Sequence, residues 1–353
     1  MNKKKSIYHV IIAGGVGERL WPLSSPKHPK QLLKLINDQT LIENTYNRIR
    51  LMADPDNILL VAKKELCVKI SKILKELPEE NFIIEPSAKN TAPAIGLAAV
   101  NIYHKNPKAI MCIYPADHFV DDDKKFKKTV MKAKKFLSKN DSLVTFGVLP
   151  SHPSVSYGYI QYNSHPSADD NTDCFRVITF AEKPTRNVAE RFFSSGEFLW
   201  NAGIFVWKVK KILNEIDTYM PELGMSLKNI YNDMGHECYQ KTLNNEWKTI
   251  KPKSIDYGIL ENTDNIHVIK SDFTWSDIGT WKSIFDIYKK DRCGNAAMGK
   301  VFFHDSNNNL VISDGHIAVV GIKNMAVIKN GDDIMIAPLN DDKAIRKIIN
   351  KMK

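Results

Sequence analysis

AGGVGERLWPLSSPKHPKQLLKL, Ala13 to Leu35, decides how the rest of the chain is read. It follows the apolar run HVIIAGG (9–15) and carries Gly14, Gly15 and Gly17 almost side by side. A strand that ends in closely spaced glycines lets backbone N–H groups approach phosphate oxygens. Two familiar phosphate loops do not match. Leu20 stands where a GxGxxG loop needs its third glycine, and no Gly-Lys-Ser/Thr follows. Pro22 argues against a long helix starting at the loop. What remains is a turn that delivers Arg19 and Lys30 to a shared anion. The bland alternative is a tight turn with two surface cations. The spacing of Arg19, Pro22 and Pro29-Lys30-Gln31 argues against it.

The surrounding pattern is β-α-β. Apolar runs at 9–15, 57–62, 81–85, 109–117 and 142–148 read as strands, and 40–52, 63–77, 91–105 and 123–138 as helices. That alternation implies a mostly parallel sheet covered by helices, with ligands beyond the carboxyl ends of its strands. The glycine loop and PAD (115–117) both fall at such ends. The second half is more mixed, with a helical stretch over roughly 208–262. From 292 to 340 short β runs alternate with Asn/Asp/Gly turns and carry apolar residues that read as exposed, Val319, Val320, Met325, Val327 and Ile328, and a final helix closes the chain. This predicts an α/β domain over 1–291 and, over 292–353, a β appendage with a terminal helix.

The 353 residues are 43% hydrophobic, enough for one large core or two domains. No run of 18 apolar residues occurs, so no membrane span is expected. The N-terminal apolar run is too short for a signal peptide. The five cysteines are scattered and form no CxxC pair, which fits a reducing cytoplasm. The net charge is +10, but only eight of the 50 basic residues are Arg. Many lysines lie on solvated helix faces such as 124–139, and no module with base-stacking aromatics is visible. Nucleic acid is therefore not an expected partner.

The chain resembles the sugar-nucleotide pyrophosphorylases, and its Trp-Pro-Leu-Ser form resembles the mannose-1-phosphate guanylyltransferases. The resemblance continues in order through EPSAKNTAPAI (85–95), YPADHFV (114–120), YGYI (157–160), FAEKP (180–184), WNAGIFVW (200–207), SIDYGILE (254–261) and WSDIGTW (275–281). It implies a Rossmann-like nucleotidyltransferase core with a mostly parallel mixed sheet, plus a small C-terminal β domain resembling a short β-helix. There are departures: Glu18 replaces a small hydroxyl residue, Ser25 and Lys89 each replace an Arg, and Ala202 replaces a Ser.

The resemblance implies these roles. Ala13, Gly14, Gly15, Gly17, Glu85, Pro86, Asn90 and Thr91 bind the nucleotide. Arg19 and Lys30 stabilise the triphosphate and the departing pyrophosphate. Gly158, Glu182, Lys183, Asn201 and Asp256 hold the sugar phosphate. Asp117 and Asp277 bind Mg²⁺, which commonly takes one or two carboxylates plus phosphate oxygens. Read without the resemblance, either Asp could instead cap a helix, and Asp256 and Glu261 could be solvated helix residues. The implied reaction converts GTP and mannose 1-phosphate to GDP-mannose and pyrophosphate, in a homodimer built through the C-terminal region. The alternatives are the same chemistry on another sugar 1-phosphate and nucleotide, or a non-catalytic sugar-nucleotide-binding paralogue. Longer relatives carry an isomerase domain; ending at Lys353, this chain is expected to be monofunctional.

Overall fold

The structure, a computed structural model, describes residues 6–163 and 173–352. The chain begins with β1 (Ile7–Ile12), α1 (Leu41–Arg50), β2 (Ile58–Lys63), α2 (Lys64–Ile73) and β3 (Phe82–Glu85). Next come α3 (Thr91–Lys105), β4 (Ile110–Pro115), β5 (Phe119–Val120), α4 (Asp123–Lys139) and β6 (Leu143–Val148). The middle contains β7 (Tyr159–Tyr162), β8 (Cys174–Ala181), α5 (Arg186–Ser195), β9 (Phe198–Lys208), α6 (Val209–Tyr219), α7 (Pro221–Asn232) and α8 (Tyr239–Thr249). It ends with β10 (Ile266–Lys270), β11 (Trp275–Ser276), α9 (Trp281–Ile287), strands β12 (Ala296–His304), β13 (Leu310–Val320), β14 (Met325–Asn330) and β15 (Asp333–Pro338), and α10 (Asp342–Met352).

Two compact units divide these elements. The first holds residues up to 14, 45–116 and 120–275; the second holds 15–44, 117–119 and 276–353.

The first unit is organised by a nine-stranded mixed sheet of order β3-β2-β1-β4-β9-β6-β10-β8-β7, with β7 also pairing β9. Strands β3, β2, β1 and β4 are mutually parallel, so their carboxyl ends share one edge. Beyond them the pairing is mostly antiparallel, and only β6 and β10 run parallel. Parallel strands covered on both faces read as continuous apolar runs, which is why β2 and β6 are buried along nearly their whole length. Helix α3 is apolar nearly all round and lies in the main core. The helical stretch 208–262 is in fact α6, α7, α8 and a π-helical turn at Asp256–Leu260. Pro221 supplies the break between α6 and α7 by taking the first position of the second helix.

The second unit joins three distant stretches of sequence around one apolar cluster. Leu20, Leu33, Leu35 and Leu41 from the signature stretch pack with Trp281, Ile284, Leu310, Ile312, Ala326, Ile328 and Ile345. The four-stranded sheet β12-β13-β14-β15 is parallel at its first two pairings and antiparallel at its last. Alternate residues of β13 and β14 serve opposite faces. Leu310, Ile312, Ala326 and Ile328 enter the cluster with the signature stretch, while Val311 and Val327 join Val319 in another.

Val319, Val320, Met325, Val327 and Ile328 read from the sequence as exposed. The structure corrects this for four of them. Val319, Val327 and Ile328 are buried, Met325 is half-buried, and only Val320 stays exposed. The sheet buries residues of β13 and β14 on both of its faces, because an apolar cluster lies on each.

Ile328→Ala is expected to destabilise the second unit by about 2–5 kcal/mol, the usual cost of truncating a fully buried Ile. Denaturant unfolding of the full chain checks this. A loss below about 1 kcal/mol would mean the cluster collapses around the gap.

Candidate active site

In the second unit, the glycine loop is folded back against Lys30. Gly15 and Gly17 both have positive φ, 78° and 76°. A Cβ on Gly17 would lie 2.6 Å from Lys30 Cβ, so the turn requires glycine there. The amide of Lys30 donates to Val16 O at 3.1 Å, and Ser24 Oγ donates to Gly17 O at 2.6 Å. Lys30 is buried, and its ammonium is held on two sides. It lies 3.1 Å from Asp117 Oδ2 and donates to the main-chain carbonyl of Asp277 at 2.5 Å. Gln31 Nε2 lies 3.4 Å from both Asp117 Oδ2 and Gly15 O.

Both candidate metal-binding residues thus meet Lys30, Asp117 through its carboxylate and Asp277 through its main-chain carbonyl. The capping alternative fails for each, since α4 is capped by Asp122 and α9 by Thr280. Asp277 Oδ1 instead accepts from Gly279 N at 3.0 Å. A Cβ on Gly279 would meet Asp277 Oδ2 at 2.5 Å, so glycine is what lets the carboxylate lie there. Arg19 is half-buried and, among the described residues, forms no ion pair.

In the first unit, Ala13 extends the β1 ladder by donating to Val61 O at 2.9 Å, and Gly14 follows it, exposed. Glu85 ends β3 on the same sheet edge. Burial raises its carboxyl to about 7, with the charge of Lys63 working the other way. Pro86 and Asn90 are exposed, and Asn90 caps α3 by accepting from Thr91 N at 2.8 Å. The Thr91 hydroxyl accepts from Ile255 N at 2.9 Å, tying the start of α3 to the turn that carries Asp256.

The sugar-phosphate candidates form a second cluster, also in the first unit. Glu182 and Lys183 form an ion pair. Burial opposes the Lys183 charge, but the Glu182 hydrogen bond and the charges of Glu182 and Asp256 outweigh it and raise its pKa. Lys183 has φ 48°, a left-handed conformation that costs a non-glycine residue about 1–3 kcal/mol. Asn201 Nδ2 donates to Asp256 Oδ1 at 3.0 Å. Burial, then the neighbouring charge of Glu182, pushes the Asp256 carboxyl well up. Gly158 accepts from Asn201 N at 2.8 Å, and a Cβ there would lie 2.5 Å from Glu182 Oε2. Gly158, Glu182, Lys183, Asn201 and Asp256 are therefore one constellation.

Residues 8–293 match the family described as nucleotidyl transferase, and 299–352 match the MannoseP isomerase/GMP-like beta-helix domain. The chain belongs to the nucleotidyl transferase family. It is 32% identical over 352 residues to an Escherichia coli protein named mannose-1-phosphate guanylyltransferase, covering 97% of this chain and 75% of that one. A Salmonella montevideo protein of the same name is 33% identical, covering 98% and 73%. The crystal structure described as mannose-1-phosphate geranyltransferase from Thermus thermophilus superposes with a TM-score of 0.89 at 25% identity, covering 99% of each chain.

For a nucleotidyl transferase, two parts of the constellation escaped the sequence. Glu261, read as an open choice, accepts from Glu182 N at 2.8 Å and so supports the sugar cluster. It directly follows the π turn at Asp256–Leu260. Thr145, inside an unbroken apolar strand, carried no signal at all.

Glu85 gives the apo protein a pH signature. Its folded pKa of about 7 exceeds the unfolded value of about 4.3, so the native state holds the extra proton between them. Stability from this group is full below about 4.3 and is lost as pH rises through about 7. The melting temperature of Glu85→Gln is expected to rise relative to that of the parent chain on going from about pH 5 to about pH 8. Parallel melting curves for the two proteins would refute the burial argument.

Proposed function

We propose that the protein makes GDP-mannose and pyrophosphate from GTP and mannose 1-phosphate. The observation that carries this reading is the glycine cradle with Lys30 seated against Asp117 and Asp277. The relatives' names supply the two substrates. A phosphate oxygen of mannose 1-phosphate attacks the α-phosphorus of GTP, the bond to the β-phosphate breaks, and pyrophosphate leaves. The nucleophile is already an anion and needs no base. Catalysis consists of aligning two repelling polyanions and neutralising their charge.

Arg19 and Lys30 serve the triphosphate and the pyrophosphate, and Lys183 serves the sugar phosphate. Asp117 and Asp277 offer hard carboxylate oxygens suited to Mg²⁺. Lys30 shows that a cation is accommodated at Asp117. Mg²⁺ commonly takes one or two carboxylates and completes its shell with phosphate oxygens and water. Bound there, the ion would screen and orient phosphate charge.

A reducing cytoplasm fits the cysteines, all free. No helix among the described residues is long and apolar enough to cross a membrane. We assign the chain to homodimers through the face of the four-stranded sheet that exposes Ile334 and Ile336. Light scattering at micromolar concentration is expected to give twice the chain mass, and Ile336→Lys to shift it toward monomer. A monomeric parent chain would overturn the assignment.

Four nucleoside triphosphates tested against several sugar 1-phosphates, reading pyrophosphate, should give GTP with mannose 1-phosphate the highest kcat/KM. Preference for another pair would move the specificity and leave the chemistry. Asp277→Asn is expected to lower turnover about 10²-fold or more at ordinary Mg²⁺; full activity would remove it from the metal site. Arg19→Ala should chiefly impair GTP and pyrophosphate handling, and Lys183→Ala the sugar phosphate. Equal impairment toward both substrates would erase that division.

A further inference from the structure

In the sugar cluster, Asn201 is held by more than its contact with Asp256. Its Oδ1 accepts from Gly203 N at 3.2 Å and from Thr145 Oγ1 at 2.8 Å. A backbone N–H can only donate, so the atom facing Gly203 must be the amide oxygen. The amide nitrogen is thereby turned to Asp256, 3.0 Å away. Thr145 is fully buried on β6. Its hydroxyl has one other acceptor within reach, Ile204 O at 3.4 Å, and the shorter contact to Asn201 is preferred.

The backbone explains how Thr145 reaches Asn201. Thr145 pairs with Phe205, but two residues later Gly147 pairs with Asn201. Strand β9 therefore advances four residues while β6 advances two, and Gly203 takes φ 65° within the bulge. The bulge re-aims Asn201 and places its side chain over Thr145. A regular ladder would have set the two far apart along the strands.

We infer that Thr145 is a positioning residue for sugar 1-phosphate recognition: with Gly203 N–H it fixes the orientation of the Asn201 amide, so that the NH₂ group faces Asp256 and the sugar hydroxyls. It touches no substrate. The inference rests on the sugar-binding role proposed above for Asn201. Thr145→Val keeps the side-chain shape and deletes the donor. Asn201 Oδ1 is left with Gly203 N alone, and the side chain loses the shorter of the two contacts that hold its oxygen in place.

The test is steady-state kinetics of the full chain and of Thr145→Val and Thr145→Ser, each substrate varied separately, with melting temperatures alongside. Thr145→Val is expected to raise KM for the sugar 1-phosphate about tenfold, the scale of one hydrogen bond, with KM for the nucleotide within about twofold. Thr145→Ser, which restores the donor, should return both values to those of the parent chain. An unchanged sugar-phosphate KM in Thr145→Val overturns the inference, as does an equal rise in both KM values or a failure of Thr145→Ser to rescue. The sugar 1-phosphate used is whichever the parent chain turns over fastest. A parent chain that ignores mannose 1-phosphate thus refutes the proposed substrate, while the Val-to-Ser comparison still decides the role of Thr145.

Discussion

The ammonium of Lys30, wedged between the Asp117 carboxylate and the Asp277 carbonyl, ties together three stretches of sequence that share little else. It is a buried charge whose partner is itself mostly buried. Removing one member of such a pair leaves the other uncompensated, at a cost of about 3–5 kcal/mol. The glycine loop closes over this lysine because Gly17 has no side chain to keep it away. The same contacts set where Asp117 and Asp277 present their oxygens. Glycine loop and candidate metal ligands therefore depend on one side chain.

The sugar cluster is built on the opposite principle, with negative charge in excess. Glu182 and Asp256 face one another's fields, and Lys183 answers only part of that charge. Such a group is suited to accept from hydroxyls, while the lysine supplies the attraction for a phosphate. The constraint throughout is close approach: Gly158 gives Glu182 room, and Asn201 can point only one way.

Much of this was legible in the sequence, because the legible parts follow short-range rules. The β-α alternation gave the parallel half of the sheet, and glycines after an apolar strand announced the cradle. Asp117 and Asp277 stood out as carboxylates at turns. What was hidden depends on contacts made across the chain. The π turn that presents Asp256 has no periodicity signal distinct from a helix. Thr145 lies in an apolar strand and matters only because a bulge in β9 brings Asn201 to it. Val319, Val327 and Ile328 looked exposed because a small sheet was pictured with one buried face, whereas it buries residues on two.

The make-up of the second unit has a consequence during synthesis. Residues 15–44 leave the ribosome early, yet the strands that cover Leu20 and Leu35 lie beyond residue 276. At about 5–20 residues per second the early segment waits about 10–50 s for its partners. Over that time the four leucines Leu20, Leu33, Leu35 and Leu41 lack their native cover. The nascent chain is then open to aggregation and to chaperone capture at the very segment proposed to handle the nucleotide.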